Sequence, residues 1–275
     1  MVHARAFSFY DDAVSVALPP SGQTSSQLSK SPIAKQAADA SVPLFKLRQL
    51  QSDWYQILYQ GNPTQPFPDA TSFIWQKCFE MWEWCERLPP DLPVAIREML
   101  DLELRYSYVY CIASSARGAQ VSPYGRLLIF EHVIAYIDRI YDIAKRTENA
   151  AFYTYHDALR VFFMGSQFIA VLRAAGDLLL SGSPIPMPPS APGKVSPPPQ
   201  PVRLDRGTGD NLDRSLRCVD RVKQTLRLYG DRWEDAFSLM EGFENLSADM
   251  WENLTTRRAM RDAAAAGQWQ QLPAA

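Results

Sequence analysis

An all-α fold is what this chain predicts, and three observations predict it. Apolar residues recur at the three-and-four spacing of a helix face in most segments between residues 41 and 255. Capping residues followed by proline or an acid open those segments, and glycine or proline closes them. No alternating apolar run has a neighbour with which to pair as a sheet. The pattern predicts an irregular bundle of about seven helices in one domain over 41–255, after a disordered head at 1–40 and before a frayed tail at 256–275.

The head mixes Ser, Gln, Ala and Pro without periodicity, and little order is expected before Ser41. The first helix is expected from Ser41 as cap, with Pro43 in its first turn and Gly61-Asn62-Pro63 as its stop. Leu44, Leu47, Leu50, Trp54, Ile57 and Leu58 form its apolar face. A second helix starts from the caps at 69–72 and runs to Leu88, where Pro89-Pro90 ends it. Ile74, Cys78, Met81, Cys85 and Leu88 make its seam, widened by Trp75, Phe79, Trp82 and Trp84. Asp91 is expected to cap a third helix with Pro93 in its first turn. Its run from Tyr106 to Ala113, apolar on all sides, predicts burial.

Ser122-Pro123 opens a fourth helix with a stripe of Leu127, Phe130, Ile134, Ile137, Tyr141 and Ala144. The fifth, from Thr154 to Leu180, is apolar nearly all round at Val161–Ile169 and is expected as the central core helix. Residues 181–209 hold many of the 21 prolines and predict an extended, mobile loop, with docking to a proline-reading module as an alternative use. A sixth helix follows through Leu212, Leu216, Val219 and Leu226, closed by Gly230. Asp231 is expected to cap a seventh helix, and Ser247 to begin it afresh.

A formal net charge of −2 gives no electrostatic reason to hold nucleic acid. No apolar run approaches the roughly 20 residues of a membrane span, and Asp11-Asp12 interrupts any secretory-type core in the head, so an intracellular place is expected. The four cysteines form no metal or redox motif and are expected as buried, reduced thiols.

Chemistry is sparse. His3, His132 and His156 make no metal pair, and no cofactor is expected. His156, between Tyr155 and Asp157, is the one imidazole with an aromatic and acidic setting, although a capping role suits it as well. The acid pairs Glu80 with Glu83 and Asp101 with Glu103 sit among basic neighbours, as solvated helix faces do. No phosphate-cradling loop, nucleophile elbow or dinucleotide fingerprint occurs, so no catalytic residue is assigned and the chain is read as a non-enzyme. An apolar ligand pocket is expected among Trp82, Tyr108, His156, Phe162 and Phe163, with plain core packing as the alternative. An all-α enzyme is the third reading.

The run Leu44–Asp53, followed by Tyr55 and Leu58-Tyr59, resembles the helix of the regulatory region of fungal zinc-cluster transcription factors. Trp75 to Leu88 with Leu88-Pro89-Pro90, Tyr106-Ser107-Tyr108, and Trp233 through Leu254 look like later helices of that region. The resemblance implies a nuclear, helical regulatory domain that works through other transcription-regulatory proteins or a small apolar effector, and in its finer form one controlling a secondary-metabolite gene cluster. The six closely spaced cysteines of that family's DNA reader are missing, so no zinc ligand, no DNA-binding residue and no direct sequence-specific DNA contact are expected.

Overall fold

Helical periodicity and capping produce helices, and nothing else regular, in the computed structural model, which describes residues 32–60, 69–113, 121–146, 154–189, 195–201 and 209–269. Among these described residues there are seven α-helices and no strand. The single domain expected over 41–255 is divided into two compact units. One comprises Met1–Ser122 with Pro186–Pro199, and the other Pro123–Ile185 with Gln200–Ala275.

In the first unit α1 spans Pro32–Tyr55 and runs on into a π-helical turn, Gln56–Gln60. It begins at Pro32 rather than at a Ser41 cap, so the end of the expected head is helical. Pro32 is suited to a first helical position, and alanines 34, 37, 38 and 40 are the strongest helix formers, a signal of propensity rather than of apolar period. Pro43 therefore lies inside the helix, where it costs one backbone hydrogen bond. The buried Trp84 indole N–H donates to the Pro43 carbonyl at 2.7 Å.

α2 (Ala70–Glu86) opens on Asp69, whose carboxylate accepts from the Ser72 N–H at 3.0 Å. It buries Ile74, Trp75, Cys78, Met81 and Trp84, while Cys85 is half-buried and Trp82 exposed. α3 (Val94–Ile112) has Pro93 rather than Asp91 at its cap position, with no side-chain cap. Every residue from Tyr106 to Ile112 is buried, as the all-round apolar run predicts. Contacts of residue 43 with 84 and 53 with 77 make α1 and α2 antiparallel. Those of 48 with 103 and 51 with 107 make α1 and α3 parallel. The unit is an up-down-up set of three helices.

The second unit holds α4 (Pro123–Ala144), α5 (Tyr155–Leu180), α6 (Asn211–Gly230) and α7 (Asp235–Trp269). Thr154 starts α5 by a capping box: its N–H donates to Asp157 Oδ2 at 2.8 Å and its hydroxyl lies 3.0 Å from the same oxygen. α4 and α6 run parallel at a fixed sequence offset of 83 residues, from Glu131 with Arg214 to Tyr141 with Gln224. Phe130 against Phe168 and Arg126 against Ala174 make α5 antiparallel to α4. Arg173 on Asp249 and Arg257 on Asp177 make α7 parallel to α5. The result is an up-down-up-down four-helix bundle in which α5 and α6 each touch all three other helices.

Burial corrects the expected centre. α4 is buried almost all round from Tyr124 to Ile140, whereas α5 leaves Phe162, Phe163, Ser166 and Gln167 half-buried and Ala170 exposed. α5 is long and apolar enough, by length and composition alone, to cross a membrane, contrary to the expectation that no apolar run approaches that length. The same helix packs against α4, α6 and α7 and carries Arg160, Arg173 and Asp177.

Close approach inside the bundle depends on two glycines. A Cβ at Gly165 would stand 2.7 Å from the Phe243 ring and 2.9 Å from Val222 Cγ1, so this glycine lets α5 lie against α6 and α7 together. Gly230, expected to close the sixth helix, is the last residue of α6. A Cβ there would meet the Phe237 ring at 2.6 Å.

Asp231 belongs to the end of α6, its N–H on the Arg227 carbonyl at 3.3 Å. Ser247 does not restart α7. It is fully buried, with its hydroxyl 3.4 Å from the Glu244 carbonyl of its own helix. α7 also continues through the expected tail to Trp269, held by Arg257 on Asp177 at 2.6 Å and Arg261 on Asp210 at 2.8 Å. In the proline-rich segment the described residues are non-helical, as expected, but Ile185, Pro197 and Pro198 are buried, which a fully solvated loop does not predict.

Candidate functional site

The five residues expected to line one pocket divide between the two units. Trp82 on α2 and Tyr108 on α3 belong to the first; His156, Phe162 and Phe163 on α5 belong to the second. Trp82 is 37% exposed and stacks obliquely on Phe79, with ring centres 5.5 Å apart, whereas Tyr108 is buried. His156 is exposed in the first turn of α5 beside the capping box. Phe162 points toward α7, where it would touch a side chain placed at Gly242 at 3.6 Å. Neither unit holds the whole set.

What sequence reasoning missed is a cluster of thiols and a phenol between α2 and α3. Cys78 and Cys111 are fully buried and share a side-chain hydrogen bond, and Tyr108 lies close to Cys78 and Cys85. Antiparallel packing creates this neighbourhood, which spacing within either helix does not show. Burial, with the hydrogen bond and charge of Cys111 behind it, pushes the Cys78 thiol well up. Burial, then Asp101 and Glu86, also raises Cys85. Burial foremost raises the Tyr108 phenol too. Such groups stay protonated near neutrality and are poor nucleophiles and bases. Arg105 donates through Nε to Asp101 at 2.7 Å, and its Nη1 is buried without a hydrogen-bond partner.

The face joining α1 to α3 is more highly ordered. Arg48 pairs with Glu103 at 3.0 Å and donates to Gln51 Oε1 at 2.6 Å. Gln51 in turn donates to the Ser107 hydroxyl at 2.5 Å, and that hydroxyl donates to the Glu103 carbonyl at 2.5 Å. Next to this chain of bonds, four tyrosines pile up. Tyr59 stacks on Tyr55 at 5.2 Å and on Tyr110 at 5.1 Å, and Tyr106 stacks on Tyr110 at 5.8 Å. Tyr59 reaches this position from the π-helical turn and donates its hydroxyl to the Tyr110 carbonyl at 3.0 Å. Tyr55 and Tyr59 are four residues apart, the spacing at which side chains on one helix face meet.

Among the described residues, no group of three or more His, Cys, Asp or Glu side chains is placed to hold a metal ion. Three of the four acids in the pairs Glu80 with Glu83 and Asp101 with Glu103 are engaged with basic neighbours on their own helices. Glu80 accepts from Lys77 at 2.8 Å, Glu83 from Arg87 at 3.1 Å and Asp101 from Arg105 at 2.7 Å. Glu103, by contrast, is turned inward to Arg48. The chain matches no family model, no curated protein and no solved structure.

Proposed function

We propose that this chain is a non-enzymatic regulatory module of the fungal transcription-regulator type, acting in the nucleus through contacts with other regulatory proteins and without a zinc-cluster DNA reader of its own. The observation that carries the reading is the setting of the family-like stretch. Arg48 and Gln51, both within the resembling run Leu44–Asp53, are the residues that tie α1 into α3 through Glu103 and Ser107. Wording and packing therefore coincide on the same two side chains.

Control of a secondary-metabolite gene cluster is the finer form of the proposal, carried by the resemblance alone. A small apolar effector is the alternative form, resting on the aromatic content of α2 and α5 alone. The chemistry also favours contact over catalysis, because the buried thiols and phenol are held in their protonated forms.

The test is to tether the full chain to an unrelated DNA-binding domain upstream of a reporter, and in parallel to delete its gene in the native host and sequence the transcripts. The proposal expects a changed reporter output and a defined set of altered transcripts, with the protein enriched in nuclei. An inert tether, an unaltered transcriptome and exclusion from nuclei would together overturn it.

A further inference from the structure

We infer that Ser183 is a phosphorylation site for a proline-directed serine/threonine kinase. This goes beyond the regulatory reading and does not depend on it. The described residues contain three Ser-Pro pairs, Ser122-Pro123, Ser183-Pro184 and Ser196-Pro197, and the structure places them in three different settings. A kinase of this class must take the serine and its proline on extended backbone, with the proline ring free to enter the enzyme.

Ser122 cannot be presented so, because Pro123 is the first residue of α4 and is followed directly by the buried Tyr124 and Gly125. Ser196 is half-buried, and Pro197 and Pro198 after it are buried. Ser183 and its own proline are both exposed and outside any helix, with burial beginning only at Ile185. Ser181 through Pro184 are all exposed, and the segment after α5 has no regular structure as far as Pro189. The proline also biases Ser183 itself toward extended geometry.

Little holds this serine in place. Its N–H donates to the Ser181 hydroxyl at 3.1 Å, which donates onward to the Leu178 carbonyl at 2.9 Å, and both bonds are solvent-exposed. Gly182 between the two serines has φ of +68°, with nothing near the position a Cβ would take, so the turn can open without displacing a packed side chain.

In the transfer, Ser183 Oγ attacks the γ-phosphorus of magnesium-bound ATP. The new O–P bond replaces the bond to the bridging oxygen, ADP leaves, and the hydroxyl proton passes to the kinase's catalytic carboxylate. The product carries roughly −1.5 to −2 charges at neutral pH, set just past the carboxyl end of α5. There it opposes the helix dipole and acts on the turn rather than on the core.

The experiment incubates the folded full chain with a cyclin-dependent or mitogen-activated type kinase and MgATP, and maps phosphate by peptide mass spectrometry. Short synthetic peptides around each of the three serines serve as unfolded references. The expected result is phosphate on Ser183 in the native chain at a rate at least roughly ten times that at Ser122 or Ser196, its absence in Ser183→Ala, and unchanged circular dichroism of that variant. Equal labelling of all three serines, labelling of the Ser183 peptide but not of the native chain, or no labelling of either would each overturn the assignment.

Discussion

Arg214 on α6 grips Glu131 on α4 with both terminal guanidinium nitrogens, at 2.6 and 2.9 Å, and each side chain is only 3% exposed. The same guanidinium donates to Asn211 Oδ1 at 2.9 Å, and Asn211 donates to the Leu179 carbonyl near the end of α5 at 2.7 Å. Three helices thus converge on one charge pair. Two buried charges are stable together and costly apart, because the partner left behind has no water to replace what it lost. Arg214→Ala or Glu131→Ala is expected to lower the unfolding free energy by about 3–5 kcal/mol in urea titration. The double change Glu131→Leu with Arg214→Met should recover most of that loss, since no uncompensated charge remains.

Gly165 and Gly176 lie on the same helix and should respond in opposite directions. Alanine at 165 puts a methyl into the Phe243 ring and Val222, an overpacking expected to cost about 1–3 kcal/mol. Alanine at 176 meets nothing within 4 Å and reduces the freedom of the unfolded chain. It should stabilise by about 0.4–1 kcal/mol. Thermal unfolding of the two single variants measures both signs.

Acidification should act through Asp210, the cap of α6. Burial alone would raise its carboxyl, but the hydrogen bond from the Asp213 N–H and the Arg261 guanidinium outweigh that and hold it below the ordinary carboxylate value. A lowered folded-state value means the stabilisation is present above the unfolded value of about 4 and is lost as pH falls through the folded one. Asp210→Ala should cost about 0.5–2 kcal/mol at pH 7, the usual worth of a cap. It should also flatten the decline in stability below about pH 4, as read by urea midpoints across the acid range.

Thiol chemistry separates the four cysteines. Cys78, Cys111 and Cys218 are fully buried, and Cys85 is half-buried. Burial pushes Cys78, Cys85 and Cys218 above the ordinary thiol value. An aromatic disulfide reagent should therefore label the native chain slowly, at Cys85 alone, and all four thiols once guanidinium unfolds it. Cys85→Ser should abolish the native reaction. Raised thiols also predict that stability falls as pH rises past the unfolded value of about 8.5, where the unfolded chain ionises and the folded one does not.

Helix existence was legible almost throughout, because an apolar stripe and a cap are local properties. Asp69 and Thr154, both expected at helix starts, each cap through a residue three positions on, and Asp210, which the apolar stripe of the sixth helix did not point to, does the same for α6. Boundaries were less legible where propensity competed with punctuation. The alanines after Pro32 extend α1 past its expected start, and Ser247 has the chemistry of a cap yet lies inside α7. The pocket expectation is of a different kind. Aromatic content shows that surfaces exist, but Trp82 and Phe162 were grouped by residue type alone, and they fall in separate units.

By itself, the sequence determined that this chain is helical, where most helices lie, and that Tyr106–Ile112 is buried on every side, since each follows from residues within a few turns of one another. Tertiary structure decided which side chains meet: Glu131 with Arg214, Cys78 with Cys111, Gly165 with Phe243, and Arg48 with Glu103. Helical period fixes the face on which a residue lies but not the helix that will cover it. Pairing depends instead on the order and direction of packing, and on shape complementarity between surfaces far apart in the chain.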